Sequence, residues 1–269
     1  MIPSRTRRVS SWGLVLGTAA VLAATQVEAK LLCAGRESGI VRLRDACKRG
    51  ESALPISIED GGRTIRITGA NVQIVNGEGE TGAAPNGVGN LILGYDEPSD
   101  PPKPRGGSHN LVVGPGHGYS SFAGIVAGDG NTVSAPFAAV TGGRQNVAGA
   151  EAAAICGGTG NSALGIAATV AGGRSNAAKG FASAVSGGSA NQATASSAWV
   201  GGGWTNTARG GFASVSGGWL NEAVGSRSSV SGGWGNAASG ESASISGGVA
   251  IGVPNDGDWA AGGLYQPGP

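Results

Sequence analysis

From residue 140 onward, apolar and polar positions recur every fifteen residues without slippage. Val or Ile stands at Val140, Ile155, Val170, Val185, Val200, Val215, Val230 and Ile245, and a Gly-Gly pair begins two residues after each. An Asn follows four residues after each of the first seven pairs begins, at Asn146, Asn161, Asn176, Asn191, Asn206, Asn221 and Asn236, with Ala two residues further on. Segments such as Ala213-Ser214-Val215-Ser216 alternate with period two, as short strands do. Helix is excluded, because two adjacent glycines in every fifteen residues would break it. The pattern predicts an all-β fold, a parallel β-solenoid of about 15 residues per coil, stacked about 4.8 Å apart. Gly-Gly supplies positive φ at one corner, and Gly165, Gly180, Gly210, Gly225 and Gly240 mark another. Val or Ile, the Ala or Ser two residues before it, and the Ala column point inward. The Asn column is expected to form a buried ladder between coils.

Upstream the pattern loosens. Ile125, Gly128 and Asn131 hold the register one coil earlier, and segments at 110–114, 90–94 and 71–75 suggest coils with loop insertions. The expected organisation is a signal peptide over 1–29, an N-terminal cap over 30–56 and irregular coils over 57–131. Regular coils over 132–248 and a C-terminal cap over 249–269 complete it. Residues 57–75 would be the first rungs, and the bulky groups around Trp259 would break the repeat. Caps are needed because an open sheet edge invites aggregation.

The first residues place Arg5, Arg7 and Arg8 before an apolar run from Trp12 to Ala24, then Val27-Glu28-Ala29. This is the pattern of a secretory signal peptide, too short for a comfortable membrane span. After residue 29 no apolar run is long enough to cross a membrane. Removing residues 1–29 shifts the net charge from +1 to about −1, which argues against a nucleic-acid partner. In an exported chain, Cys33 and Cys47 predict a disulfide. Glycine, 53 of 269 residues, is in excess, yet without the every-third spacing of collagen; it belongs to the coil corners.

The repeat Asn221-Glu-Ala-Val-Gly225-Ser-Arg-Ser-Ser-Val-Ser-Gly232 resembles the head repeats of YadA-like trimeric autotransporter adhesins. The likeness covers 110–248 well and 65–110 loosely. It implies a left-handed parallel β-roll, a homotrimer, and attachment to host or matrix surfaces. Ser-Gly-Gly stands where the family has Ala-Ile-Gly, and the family's stalk and membrane anchor have no counterpart here, so the resemblance is to the head module.

Trp204, Trp219 and Trp234 share one column, with Arg144, Thr159, Arg174 and Ser189 on earlier coils. Stacked rings there could bind a glycan or partner, cover a subunit interface, or shield the corner; all three readings stand at this stage. Two outward columns, including Thr141, Cys156, Ser186 and Ser216, make a face of small side chains suited to close protomer contact or, less well, to ice. Cys156 is read as one small residue of that face. His109 and His117 lack a nucleophile motif around them, and Glu151, Glu222 and Glu241 are too far apart to pair as acid and base. Asp96, Glu97, Asp100 and Asp129 read as a solvated loop rather than a calcium site, and no metal or cofactor is expected. The expectation is a secreted, non-enzymatic solenoid for surface attachment or extracellular structure, with a glycan-binding module as the alternative and an ice-binding solenoid third.

Overall fold

The computed structural model describes residues 30–35 and 41–268, and the chain divides into two compact units, one ending at Val72 and one beginning at Gln73. The expected signal peptide lies outside the described residues. In the first unit, β1 (Lys30–Gly35), β2 (Val41–Arg44), β3 (Glu51–Glu59) and β4 (Thr64–Ile67) form an antiparallel sheet in the order β2-β1-β3-β4. Cys33 is fully buried and bonded to Cys47, a bridge closing a short loop that stabilises by about 3 kcal/mol. Residues 57–67 are therefore not solenoid rungs. Ile56 pairs with Ile67 and Ile58 with Ile65 across a turn at Asp60-Gly61-Gly62, where alternating β-branched residues meet a glycine turn. Residues 71–75 form no strand either.

In the second unit the chain winds as a parallel β-solenoid. One thirteen-stranded sheet begins at β5 (Leu91–Leu93) and β6 (Leu111–Val113) and stays parallel to Trp259–Ala261. A ten-stranded sheet runs from Gly118–Tyr119 to Gly252–Val253. A third side is a column of single bridging residues, from Asp129 through Arg144, Thr159, Arg174, Ser189, Trp204, Trp219 and Trp234 to Val249. Each regular coil is thus two two-residue strands and one bridge, joined by corners.

The interior is narrow and made of four columns. The Val/Ile column, the Ala/Ser column two residues before it, the Ala column and the Asn column are all at most 1% exposed from Val140 to Ile245. Each buried Val contributes roughly 1.5–3 kcal/mol. Every ladder Asn serves both neighbours: Asn206 donates through Nδ2 to the carbonyls of Gly202 and Gly218, each at 2.8 Å, and its Oδ1 accepts the Asn221 N–H at 2.9 Å. At the lower end His117 takes the place of an Asn, its Nδ1 accepting the Asn131 N–H at 3.1 Å. At the upper end Ile251 replaces it, where no further coil needs an acceptor; its own N–H still donates to Asn236 Oδ1.

The corners correct the expectation about glycine. In the first seven pairs only the second glycine has positive φ, as at Gly218 (φ 91°), whereas Gly247 and Gly248 both have it. The other left-handed positions are mostly not glycine: Leu220 (φ 56°) and Arg227 (φ 59°) represent two columns of them. Gly225 has no left-handed angle; a Cβ there would lie 1.9 Å from the Gly240 carbonyl oxygen, so close coil approach selects it.

Two registers also differ from expectation. Val126, not Ile125, aligns with Val140, and Ile125 faces outward beside Ala139. Residues 249–261 complete another coil, with Trp259 paired to Ser244 and Ala260 to Ile245, instead of breaking the repeat. The closure comes afterwards, where Leu264–Gln266 turns back antiparallel on Trp259–Ala261 and occupies the sheet's open edge.

Candidate functional site

Trp204, Trp219 and Trp234 sit at the bridging position of three successive coils, each between a left-handed glycine and a second left-handed residue. Gly218 (φ 91°) precedes Trp219 and Leu220 (φ 56°) follows it, so the chain bends sharply on both sides and the side chain leaves the corner outward. The backbone is held by the Trp219 N–H donating to the Gly233 carbonyl at 3.0 Å and by the Leu220 N–H donating to the Trp204 carbonyl at 3.0 Å. Coil spacing then dictates ring spacing. Centroids of Trp204 and Trp219 are 5.3 Å apart with planes 7° from parallel, and Trp219 and Trp234 are 5.4 Å apart at 17°.

Rings nearly parallel at this distance are offset-stacked, because indoles lying side by side in one plane would need a wider separation. Trp219 therefore has a neighbour on each face. The outer face of Trp204, toward Ser189, and the outer face of Trp234, toward Val249, are the two that no ring of the stack covers. All three remain 42–55% exposed, and Leu220 and Val249 extend the apolar ground around them. These five side chains form a group of exposed large apolar residues along one corner of the solenoid.

The lower half of the same column is polar. Arg144 pairs with Asp129 at 3.0 Å, while Thr159, Arg174 and Ser189 separate that pair from the first ring. Among the described residues Arg174 has no acidic partner. The residue before each bridge from Arg144 to Trp234 is glycine and the one after it is mostly small, so the column stands as a ridge. The sequence made the Trp column visible; it gave less notice that Val249 continues it and that Asp129 neutralises Arg144.

The other sequence candidates have structural occupations. His117 is buried, with Nε2 2.9 Å from the Val113 carbonyl and Nδ1 on the Asn131 N–H, one neutral tautomer satisfying both contacts. His109 accepts the Asn76 N–H at 3.2 Å beside a cleft of about 330 Å³. Asp96 does not converge with Glu97, Asp100 and Asp129: it pairs with Arg105 at 3.2 Å and accepts the Tyr119 hydroxyl at 2.9 Å. Burial first, and then Asp96, push the Tyr119 hydroxyl up to about 12, so it stays a neutral donor pinning the proline-rich loop. Beneath that loop a cleft of about 490 Å³ is lined by Lys103, Asp129 and Arg144. Its cations are already engaged, Lys103 by the carbonyls of Gly116 and Gly130 and Arg144 by Asp129. Burial lowers the Lys103 ammonium from its ordinary value, with Asp129 opposing.

Cys156 is an exposed free thiol on the small-residue face. That face is interrupted by Trp199, whose Nε1 donates to Ser186 Oγ at 3.2 Å. The ring lies across Gly201, where a Cβ would come within 3.0 Å of it. Trp259 repeats the bond on Ser246 Oγ at 2.9 Å. No protein-family model matches the chain, and no curated protein matches it.

Proposed function

We propose that this protein is a non-enzymatic β-solenoid exported from a bacterium, working outside the cell in surface attachment or as a structural subunit, as an adhesin head does. The observation that carries the proposal is the Trp204–Trp219–Trp234 ridge, three large rings held half exposed on a rigid corner where a soluble chain has no folding reason to keep them. Export is supported by the signal pattern in residues 1–29 and by the Cys33–Cys47 bridge, which an oxidising compartment permits. The resemblance of the repeats adds a homotrimer, for which the small-residue face around Thr141 and Ser216 offers close packing away from the Trp204–Trp219–Trp234 ridge.

Trp219→Ala tests the role of the ridge. It removes the middle ring from an exposed position, so the melting temperature should fall by no more than about 3 °C. Adhesion of the purified chain to matrix-coated surfaces should drop at least about tenfold, the order expected for a central aromatic contact residue. Undiminished adhesion would sink the contact-surface reading.

The glycan-binding reading draws on the same exposed rings. Sugars stack on ring faces, however, and two outer faces separated by the whole stack suit a continuous sugar platform poorly. Loss of glycan-array signal in Trp219→Ala, with adhesion to sugar-free surfaces unchanged, would install that reading instead.

A further inference from the structure

We infer that the ridge from Arg144 to Trp234 is a self-complementary surface that takes a second copy of this chain, antiparallel, on a two-fold axis through Ser189; this rests on the reading of the ridge as a contact surface. A two-fold axis requires that if residue i meets residue j, then j meets i. Counting coils outward from Ser189 along the ridge gives Arg174 and Trp204 one coil away, Thr159 and Trp219 two away, and Arg144 and Trp234 three away. Turning a second copy over about Ser189 therefore sets Arg174 opposite Trp204, Thr159 opposite Trp219 and Arg144 opposite Trp234, each twice.

The chemistry of these pairs matches the geometry of the stack. Three stacked rings leave two outer faces, one at each end, and the end rings are the ones that meet arginines. A guanidinium over a tryptophan face is a favourable contact, more so when water is excluded. The middle ring, with a neighbour on both faces, meets the short Thr159. Beside the ridge, Leu220 falls opposite the exposed Gly160 of the second copy, where there is no side chain to obstruct it. Among the described residues Arg174 has no ion-pair partner to give up.

Other pairings of the ridge are worse. Parallel copies set Arg174 on Arg174 and Arg144 on Arg144, which places like charges together. An antiparallel register moved by half a coil toward Arg174 brings Asp129 onto Trp234, an anion against an aromatic ring. Moved the other way, it leaves Arg144 opposite Val249. The Ser189-centred register is the one among these that puts both arginines on rings. From Asp129 to Val249 the contact spans about 38 Å at about 4.8 Å per coil. With a width of about 15 Å, the two copies bury about 1,100 Å² in total, the range of a specific but weak association.

Thiol bridging tests the orientation. In full-length chain carrying Cys156→Ser, where Cys33 and Cys47 are bonded to each other, Ser189→Cys and Thr159→Cys are introduced singly and treated with a short bis-maleimide. The Ser189→Cys chain should be bridged to its own copy. The Thr159→Cys chain should not, because antiparallel copies hold those residues four coils apart, about 19 Å. Bridging of both, of neither, or of the Thr159→Cys chain alone overturns the proposal. Arg174→Glu supplies a second measurement that leaves the fold's ion pairs untouched. At about 50 µM it should move the solution mass toward half the unsubstituted value, a tenfold or greater weakening, with an unchanged melt; an unchanged mass overturns the proposal. The two readings fail separately: adhesion lost in Trp219→Ala without the bridging pattern removes the second copy and keeps the contact surface, whereas undiminished adhesion removes the contact surface itself.

Discussion

Gly217 and Gly218 are adjacent and identical in type, but their surroundings differ. Nothing lies within 4 Å of a Cβ built on Gly217, and its backbone is outside the left-handed region. A Cβ on Gly218, at φ 91°, would lie 2.3 Å from the Gly233 carbonyl oxygen and 2.5 Å from Asn221 Nδ2, so the side chain would strike both the next coil and the ladder. Gly217→Ala should leave thermal stability within about 1 kcal/mol, with a small gain from the less flexible unfolded chain. Gly218→Ala should cost about 3 kcal/mol or more, adding steric overlap to left-handed strain. Melting curves of the two variants check this, and equal losses would show that the pair acts as a unit. The repeated Gly-Gly signature thus combines one residue held by packing with one that tolerates a side chain.

At the scale of the element, two-residue strands such as Ser214–Val215 are far too short to persist alone, and what holds them is the ladder beside them. Asn206→Ala removes donors from the Gly202 and Gly218 carbonyls and leaves the buried Asn221 N–H without its acceptor. With about 1–3 kcal/mol for a buried polar group left unpaired, the expected loss is about 3–5 kcal/mol. Asn206→Asp should recover little, since its oxygen would face the same two carbonyls. Chemical denaturation measures both, and a loss below about 1 kcal/mol would mean that the ladder is redundant. The solenoid was legible in the sequence because a coil's inward columns repeat with its period, and Val215, Ala213, Ala223 and Asn221 state all four of them. The ends were less legible. Asp60-Gly61-Gly62 is a hairpin signal, but glycine is so frequent at the coil corners that it does not stand out, and Ile251, Val253 and Ala260 keep the columns of a coil while changing every residue type in them. The left-handed angles of Leu220 and Arg227 carry no residue-type signal at all.

For the whole molecule, the candidate site follows from the repeat: a mark placed at one position of the coil becomes a line along the axis. The three tryptophans could be aligned from sequence for that reason, whereas their mutual stacking, and so the scarcity of free faces, needed the coordinates. The same quasi-one-dimensional construction makes stability close to a sum over coils and their interfaces. Deleting Ser175–Ser189 joins Arg174 to Ala190 with every column in register, so the shortened chain should keep its β spectrum and melt only a few degrees lower. Deleting residues 175–182 instead leaves a coil without one of its corners, and this variant should lose the cooperative melt. The whole-coil deletion also bears on assembly. Removing the Ser189 coil moves the two-fold centre midway between Arg174 and Trp204 but preserves all three pairings, so self-association should survive. Removing Gln145–Thr159 leaves an equally regular solenoid, yet moves Arg144 opposite Trp219, whose faces both have ring neighbours. Its association should weaken several-fold at an unchanged fold. Sedimentation of the two shortened chains at equal concentration distinguishes pairing by the ridge's order from adhesion by exposed tryptophan alone, which would leave the two chains alike.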